Sequence, residues 1–350
     1  MKNIFIWIIL IVGVTACDNQ EQVFADYDEQ NVYFPLQFPI RTLSVGEDRV
    51  DNSLDKESKF DIGVSIGGMY ENNKDWTVDF VVDPSLTDSA YFDGEKILPL
   101  PTDYYTLNPS KTVNIPSGKF NGLIRVELNE KFYNDSLSIT GRYVIPLRLT
   151  GTSADSILLG WPAVIGSDPD IRIKEDWKAG KSPKNWVLYG IKYVNSYHGR
   201  YLHRGVDYIS KDGAPVDTVV FRTDHVVQDI VGKLRTNDLL KASTNFIATR
   251  VHATRFVMVL NFDNPDGKSG PITITPNPNP KRWQVTGTGH YYDLSESTEE
   301  WTQQVWQSMY LEYFYNDGKK DHHVHDTLVF RDRGIKWEEY SGSASFIIKE

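Results

Sequence analysis

The 350-residue chain has a single cysteine, Cys17. No internal disulfide can therefore staple its fold, and no multi-cysteine metal site can form. Its longest apolar run, Ile4 to Val14, is eleven residues, too short for a helix that crosses a bilayer, which takes roughly 20. Positive charge is in deficit, with 37 Lys+Arg against 47 Asp+Glu and a net charge of −10; nucleic-acid backbone tracking is not expected of such a chain. A Gly-rich phosphate loop and a Gly-x-Ser-x-Gly nucleophile elbow are both missing, so no catalytic motif of those classes is read. Gly (25) and Pro (17) stand near ordinary usage, which excludes collagen-like and low-complexity chains. What is plentiful is aromatic: 13% Phe, Trp and Tyr, including 9 Trp and 19 Tyr. A disordered acidic protein would carry few of these. The chain is folded, and its length suits about two domains.

The start of the chain reads as an address. Lys2 forms a short charged region ahead of the apolar run, and Val14-Thr15-Ala16-Cys17 follows it. This pattern fits a secretory signal of residues 1–16 and resembles the bacterial lipobox. Cys17 would then be lipidated and become the first mature residue, leaving the protein attached to the membrane by its lipid anchor only. An acidic tether, 17–30, follows, with Asp18, Glu21, Asp26, Asp28 and Glu29. It resembles the surface-export signal of Bacteroidetes lipoproteins and implies the outer face of the outer membrane. A plain solvated spacer on the periplasmic side is the alternative.

Beyond the tether the periodicity is two. Phe60, Ile62, Val64 and Ile66 alternate with smaller or polar residues, as do Trp76, Val78 and Phe80, then Ile124, Val126 and Leu128, then Tyr143, Ile145, Leu147 and Leu149. Pro146 hints at an edge strand or a bulge there. Turn signals separate the runs, which predicts an antiparallel sandwich over 31–175. The charged stretch 176–184 is the expected linker. From 185 to 350 the strands are longer, and a run at 246–251 counts among them. Asn316-Asp317-Gly318 marks a two-residue hairpin. Eight or more successive strands without a crossover helix predict an antiparallel meander closed into a β-barrel, lipocalin-like or similar. Val226 to Lys241 is the one segment with helical spacing. The fold class is thus all-β, an antiparallel β-sandwich followed by a barrel.

Several first-domain stretches carry a resemblance: Asp75-Trp76-Thr77-Val78-Asp79-Phe80, Leu100-Pro101-Thr102-Asp103-Tyr104-Tyr105, Val113-Asn114-Ile115-Pro116-Ser117-Gly118 and Tyr143-Val144-Ile145-Pro146-Leu147. Together they resemble an immunoglobulin-like domain of unknown function at the N-terminus of Bacteroidetes surface lipoproteins, encoded beside starch-utilisation-type transporters. Tyr189-Gly190-Ile191-Lys192-Tyr193, Tyr197-His198-Gly199-Arg200-Tyr201 and Val329-Phe330-Arg331-Asp332-Arg333-Gly334 look like an uncharacterised C-terminal domain of such proteins. Some relatives carry a family 18 endoglycosidase domain instead. Its Asp-x-x-Asp-x-Asp-x-Glu run is absent here, and the second half is too short for a (β/α)₈ barrel of roughly 250 residues.

Sugar recognition needs flat apolar faces for pyranose rings beside polar groups for hydroxyls. Trp301 and Trp306, with Tyr291 and Tyr292 before the same polar loop, are the expected ligand rim, although for any single Trp of this domain a place in the core is the preferred alternative. Tyr197, His198 and Arg200 form a candidate recognition loop, with a tight structural corner as the preferred alternative. Asp321, His323 and His325 would share one strand face. Ligands at adjacent same-face positions of one strand give poor tetrahedral geometry, so no metal and no cofactor is expected. The expected function is a non-enzymatic surface lipoprotein that binds a glycan and serves an outer-membrane transporter and its partner lipoproteins. An adhesin without a sugar site is the alternative. A glycosidase using Asp293, Glu296, Glu299 or Glu300 is a third reading, since nothing in the sequence sets their separation.

Overall fold

A computed structural model describes residues 25–245, 255–340 and 346–349. Cys17 with its signal, and the strand expected at 246–251, lie outside these residues. The sandwich strands are β1 (Asn31–Tyr33), β2 (Pro39–Ser44), β3 (Lys59–Gly67), β4 (Trp76–Val82), β5 (Ala90–Phe92), β6 (Glu95–Lys96), β7 (Leu98–Pro99), β8 (Tyr105–Asn108), β9 (Thr112–Ile115), β10 (Asn121–Leu128), β11 (Tyr143–Thr152), β12 (Ser156–Ile157) and β13 (Trp186–Val194). One sheet runs β12-β1-β3-β10-β8, and the facing sheet contains β2-β13-β11-β4-β9. Along β4, Trp76, Val78 and Phe80 are buried while Thr77, Asp79 and Val81 face water. This is the alternation of a strand with one face on a core. Phe60, Ile62, Val126, Ile145 and Ile191 meet these side chains between the sheets.

The domain boundary lies further along than the linker expected at 176–184. β13 was expected to open the second domain, yet it pairs antiparallel with β11 from Tyr143↔Ile191 to Arg148↔Trp186 and parallel with β2. Its nearly continuous burial is that of a central strand covered on both faces. The polar stretch before it is a surface loop tied to the sandwich, where Trp161 N–H donates to Lys181 O and Lys184 N–H to Leu158 O. Pro146, read as an edge or bulge residue, lies in the central strand β11, opposite Leu188. Its carbonyl accepts from Asp83, just past the end of β4. The missing N–H points to the same side, so it falls where β4 no longer pairs.

The barrel strands are β14 (Gly199–Lys211), β15 (Ala214–Phe221), β16 (Ile230–Asp238), β17 (Lys241–Thr244), β18 (Met258–Phe262), β19 (Gly270–Thr275), β20 (Thr286–Tyr292), β21 (Glu300–Trp301), β22 (Gln304–Val305), β23 (Ser308–Asn316) and β24 (Asp321–Asp332). The order β14-β16-β17-β18-β19-β20-β23-β24 closes through a β14–β24 ladder into an eight-strand antiparallel barrel. β15 extends the second half of β14 as a hairpin. Val226–Lys241, expected as the helix, holds only a single 3₁₀ turn before β16 and the start of β17. Gly232 and Leu234 are buried at a spacing of two, so the barrel ladder prevails over a helical pattern of few apolar residues. The hairpin at Asn316 closes through Asn316↔Asp321, a four-residue loop (317–320) rather than the expected two.

Closure demands sharp curvature, and glycines permit it. Gly205, Gly287 and Gly289 lie opposite Asp326, Tyr313 and Leu311. A Cβ at any of them would run into a carbonyl oxygen of the neighbouring strand, those of His325, Glu312 and Tyr310 respectively.

The C-terminus returns to the sandwich. β25 (Glu338–Glu339) pairs with β2, and β26 (Phe346–Ile348) with β5. Tyr340 is fully buried between them and donates its hydroxyl to Gly141 O. The two domains meet at Arg333, whose guanidinium donates to Ser196 O and His198 O, each at 2.7 Å, and to Glu47 O. Three carbonyls around one buried cation make this junction costly to open.

Candidate functional site

The barrel lumen is packed with side chains. Tyr197 stacks on Phe262, and Tyr291 meets Tyr197 edge-on at 5.0 Å. Phe256 packs on Tyr315, and Trp283 stacks against it at 5.6 Å. These join Met258, Leu260, Met309 and Leu328 in one buried cluster.

The lumen also holds a polar network on β14 and β24. Asp207 accepts from His322 Nδ1 at 2.8 Å, and His203 Nδ1 lies 3.2 Å from Asp326. Burial holds the Tyr313 phenol well above its ordinary pKa, and the carboxylates of Asp326 and Asp207 add to the effect.

Trp301 and Trp306 belong to the core rather than to a ligand rim. The β21–β22 hairpin turns through Thr302 and Gln303, both with positive φ (54° and 61°), and brings the two indoles to 5.4 Å. Each indole N–H is used internally: Trp301 donates to Phe330 O and Trp306 to Trp301 O, both at 3.0 Å. Arg49, from the sandwich side of the junction, lies over both rings at 5.8 and 5.5 Å. The pair plugs one end of the barrel against the first domain.

The remaining expected residues separate. Tyr291 points into the lumen, while its neighbour Tyr292 faces outward. Tyr197 is buried and donates its hydroxyl to Asn264 O. His198 is also buried, and its Nδ1 accepts from Thr236 N–H at 3.2 Å. Burial, with Lys233 and Arg333 adding positive charge, lowers its pKa to about 3, so it is neutral at pH 7. Arg200 pairs with Asp332 at 2.6 Å. These three form a structural corner at the domain junction.

The outward residues of the barrel line a groove of about 880 Å3 across β15, β14, β24, β23 and β20. Cross-strand register sets its composition. Thr288, Glu312, His325 and Val206 form one row, while His290, Tyr310, Thr327 and Arg204 form the next. Tyr208 and Tyr310 are exposed there. Tyr310 donates to Glu299 at 2.6 Å and meets Tyr292 at 5.3 Å. Burial and that hydrogen bond raise the Tyr310 pKa, so it stays a neutral donor. Arg204 is held by Asp229 at 2.7 Å. Exposed rings beside fixed donors, acceptors and charges make a surface of mixed character, apolar on the ring faces and polar between them.

Glu312, His323 and His325 converge on this same outer face, with one ligand atom from each within 4.8 Å of the others. The sequence reading missed this site because Glu312 lies on β23. Only the register Glu312↔His325 brings it beside the histidines.

Residues 27–156 match a family model described as a "-like, N-terminal domain", and residues 196–334 match "Domain of unknown function (DUF5627)". A solved structure of unknown function from Bacteroides ovatus is 31% identical, with a TM-score of 0.77 over 93% of this chain and 100% of its own. The chain belongs to that protein's family. A second Bacteroides ovatus structure of unknown function is 16% identical over 88% of this chain and 97% of its own, with a TM-score of 0.39. An auxiliary nutrient binding protein from Bacteroides thetaiotaomicron is 13% identical over 83% of this chain and 89% of its own, with a TM-score of 0.37. Scores this low leave those two without weight for this chain. No curated protein matches.

Proposed function

We propose that this protein is a lipid-anchored surface protein that binds a glycan without cleaving it and serves an outer-membrane uptake system, with its binding face on the outside of the barrel. One observation carries the reading: the exposed Tyr208 and Tyr310 lie in a wide outer groove beside Glu299, Glu312 and Arg204. Rings of this kind present flat faces to the apolar side of a pyranose, while the neighbouring polar groups meet its hydroxyls. The packed lumen supports an outer rather than an internal site. The signal-like start ending at Cys17 supports export and anchoring.

The test is binding of the chain from Asp18 onward to a broad glycan panel, with product analysis of every hit. Retention without cleavage is expected, and Tyr208→Ala and Tyr310→Ala should each weaken it at least about twofold, the lower end of the energy of a stacked aromatic contact. Silence across the panel would sink this reading in favour of a surface adhesin. Released sugar would move the site to the carboxylates.

A further inference from the structure

We propose that Glu312, His323 and His325 form a binding site for a zinc-class divalent transition metal on the outer wall of the barrel. Both histidine Nε2 atoms face one carboxylate oxygen, Glu312 Oε1, His323 at 2.7 Å and His325 at 3.9 Å. A metal held about 2.1 Å from each of three tetrahedral donors needs them about 3.4 Å apart, between the two observed distances. The third separation, between the two histidines, is within 4.8 Å, so side-chain rotations that draw the rings together complete the site.

The strand geometry favours this arrangement. Two histidines at i and i+2 project from the same face of β24, and the antiparallel register sets Glu312 directly opposite His325. The three donors thus come from two adjoining strands and approach the metal from one side. The expectation of poor geometry for ligands on a single strand is met by the cross-strand third donor.

The rings are braced in place. His323 stacks on Phe314 at 4.2 Å and 18°, which accounts for a large apolar side chain on the barrel exterior. His325 lies edge-on to Tyr208 at 6.0 Å. Bracing of this kind reduces the ordering that a metal would otherwise have to impose.

The donor set defines the metal class. Two imidazoles and one carboxylate suit Zn2+, with Co2+, Ni2+ and Cu2+ as alternative occupants. Ca2+ and Mg2+ prefer all-oxygen shells. Three protein ligands leave a fourth position open toward the groove for water or another oxygen donor. This assignment does not depend on glycan recognition.

The test is calorimetric titration of the untagged chain from Asp18 onward, both domains intact, with Zn2+ and no sugar present, followed by the visible spectrum with Co2+. One equivalent should bind, with the intense absorption of low-coordinate Co2+. His325→Ala and Glu312→Gln should each weaken binding at least about tenfold, while His225→Ala, an exposed histidine elsewhere, should leave it unchanged. These side chains are on the surface, so circular dichroism should confirm that each variant is folded. Absence of stoichiometric Zn2+ binding would overturn the assignment. So would binding that survives both cluster substitutions, which would mean that the trio is only an ion-paired surface cluster.

Discussion

The lumenal and outer faces of β24 hold the same residue types in opposite states. His322 and Asp326 point inward and are hydrogen-bonded within a buried network with Asp207 and His203. His323 and His325 point outward to Glu312, and His325 and Glu312 line a groove open to water. Four residues in one five-residue run are thus sorted by the strand's period of two into a structural set and a ligand-accessible set. An imidazole facing a carboxylate inside the barrel is costly to break, because removing one partner leaves polar atoms of the other unpaired away from water. The same pair outside is screened and contributes little to stability, and it is therefore free to serve a ligand.

This contrast is most sharply tested by substitution on each face. Trp306→Ala should cost about 3–5 kcal/mol in urea denaturation, as expected for a large buried aromatic; a change below about 1 kcal/mol would restore it as a rim residue. Asp207→Ala should cost about 3 kcal/mol, since it removes the buried carboxylate that holds His322 Nδ1 inside the barrel. His325→Ala, on the other face of the same strand, should stay within about 0.5 kcal/mol. If the two gave equal effects, the division between the faces would fail.

A pH series probes the junction. The folded pKa of His198 is lowered to about 3 from 6.5. Its contribution to stability is complete above pH 6.5 and is lost as pH falls toward 3, because the unfolded chain takes up a proton that the folded chain refuses. Near pH 5 the slope should approach about 1.4 kcal/mol per pH unit from this one group. His198→Asn, which keeps an acceptor for Thr236 N–H, should flatten the stability curve by that amount. An unchanged slope would refute the assignment of His198 as a neutral buried acceptor.

Much of the fold was legible in the residues. Alternation such as Trp76, Val78, Phe80 and Tyr143, Ile145, Leu147 marked real strands, and the long meander after residue 199 marked a closed barrel. The site was far less legible. Trp301 and Trp306 have the composition of a sugar platform, yet a hairpin with two left-handed residues folds them onto Phe330 and beneath Arg49. Tyr291 and Tyr292 were read as one rim, although neighbouring strand residues must point to opposite faces. The period of two in the sequence already separates this pair. The join between the domains was obscured by the polar loop at 174–184, which has a linker's composition but precedes one more sandwich strand.

Local pattern sufficed for the all-β class and for the inward and outward alternation along each strand, because both depend on neighbours in the chain. Long-range pairing places β13 in the sandwich, fills the lumen with aromatic side chains and brings Glu312 to His323 and His325. Those outcomes depend on pairing register and barrel closure between segments far apart in sequence, where packing rather than local pattern selects the partner.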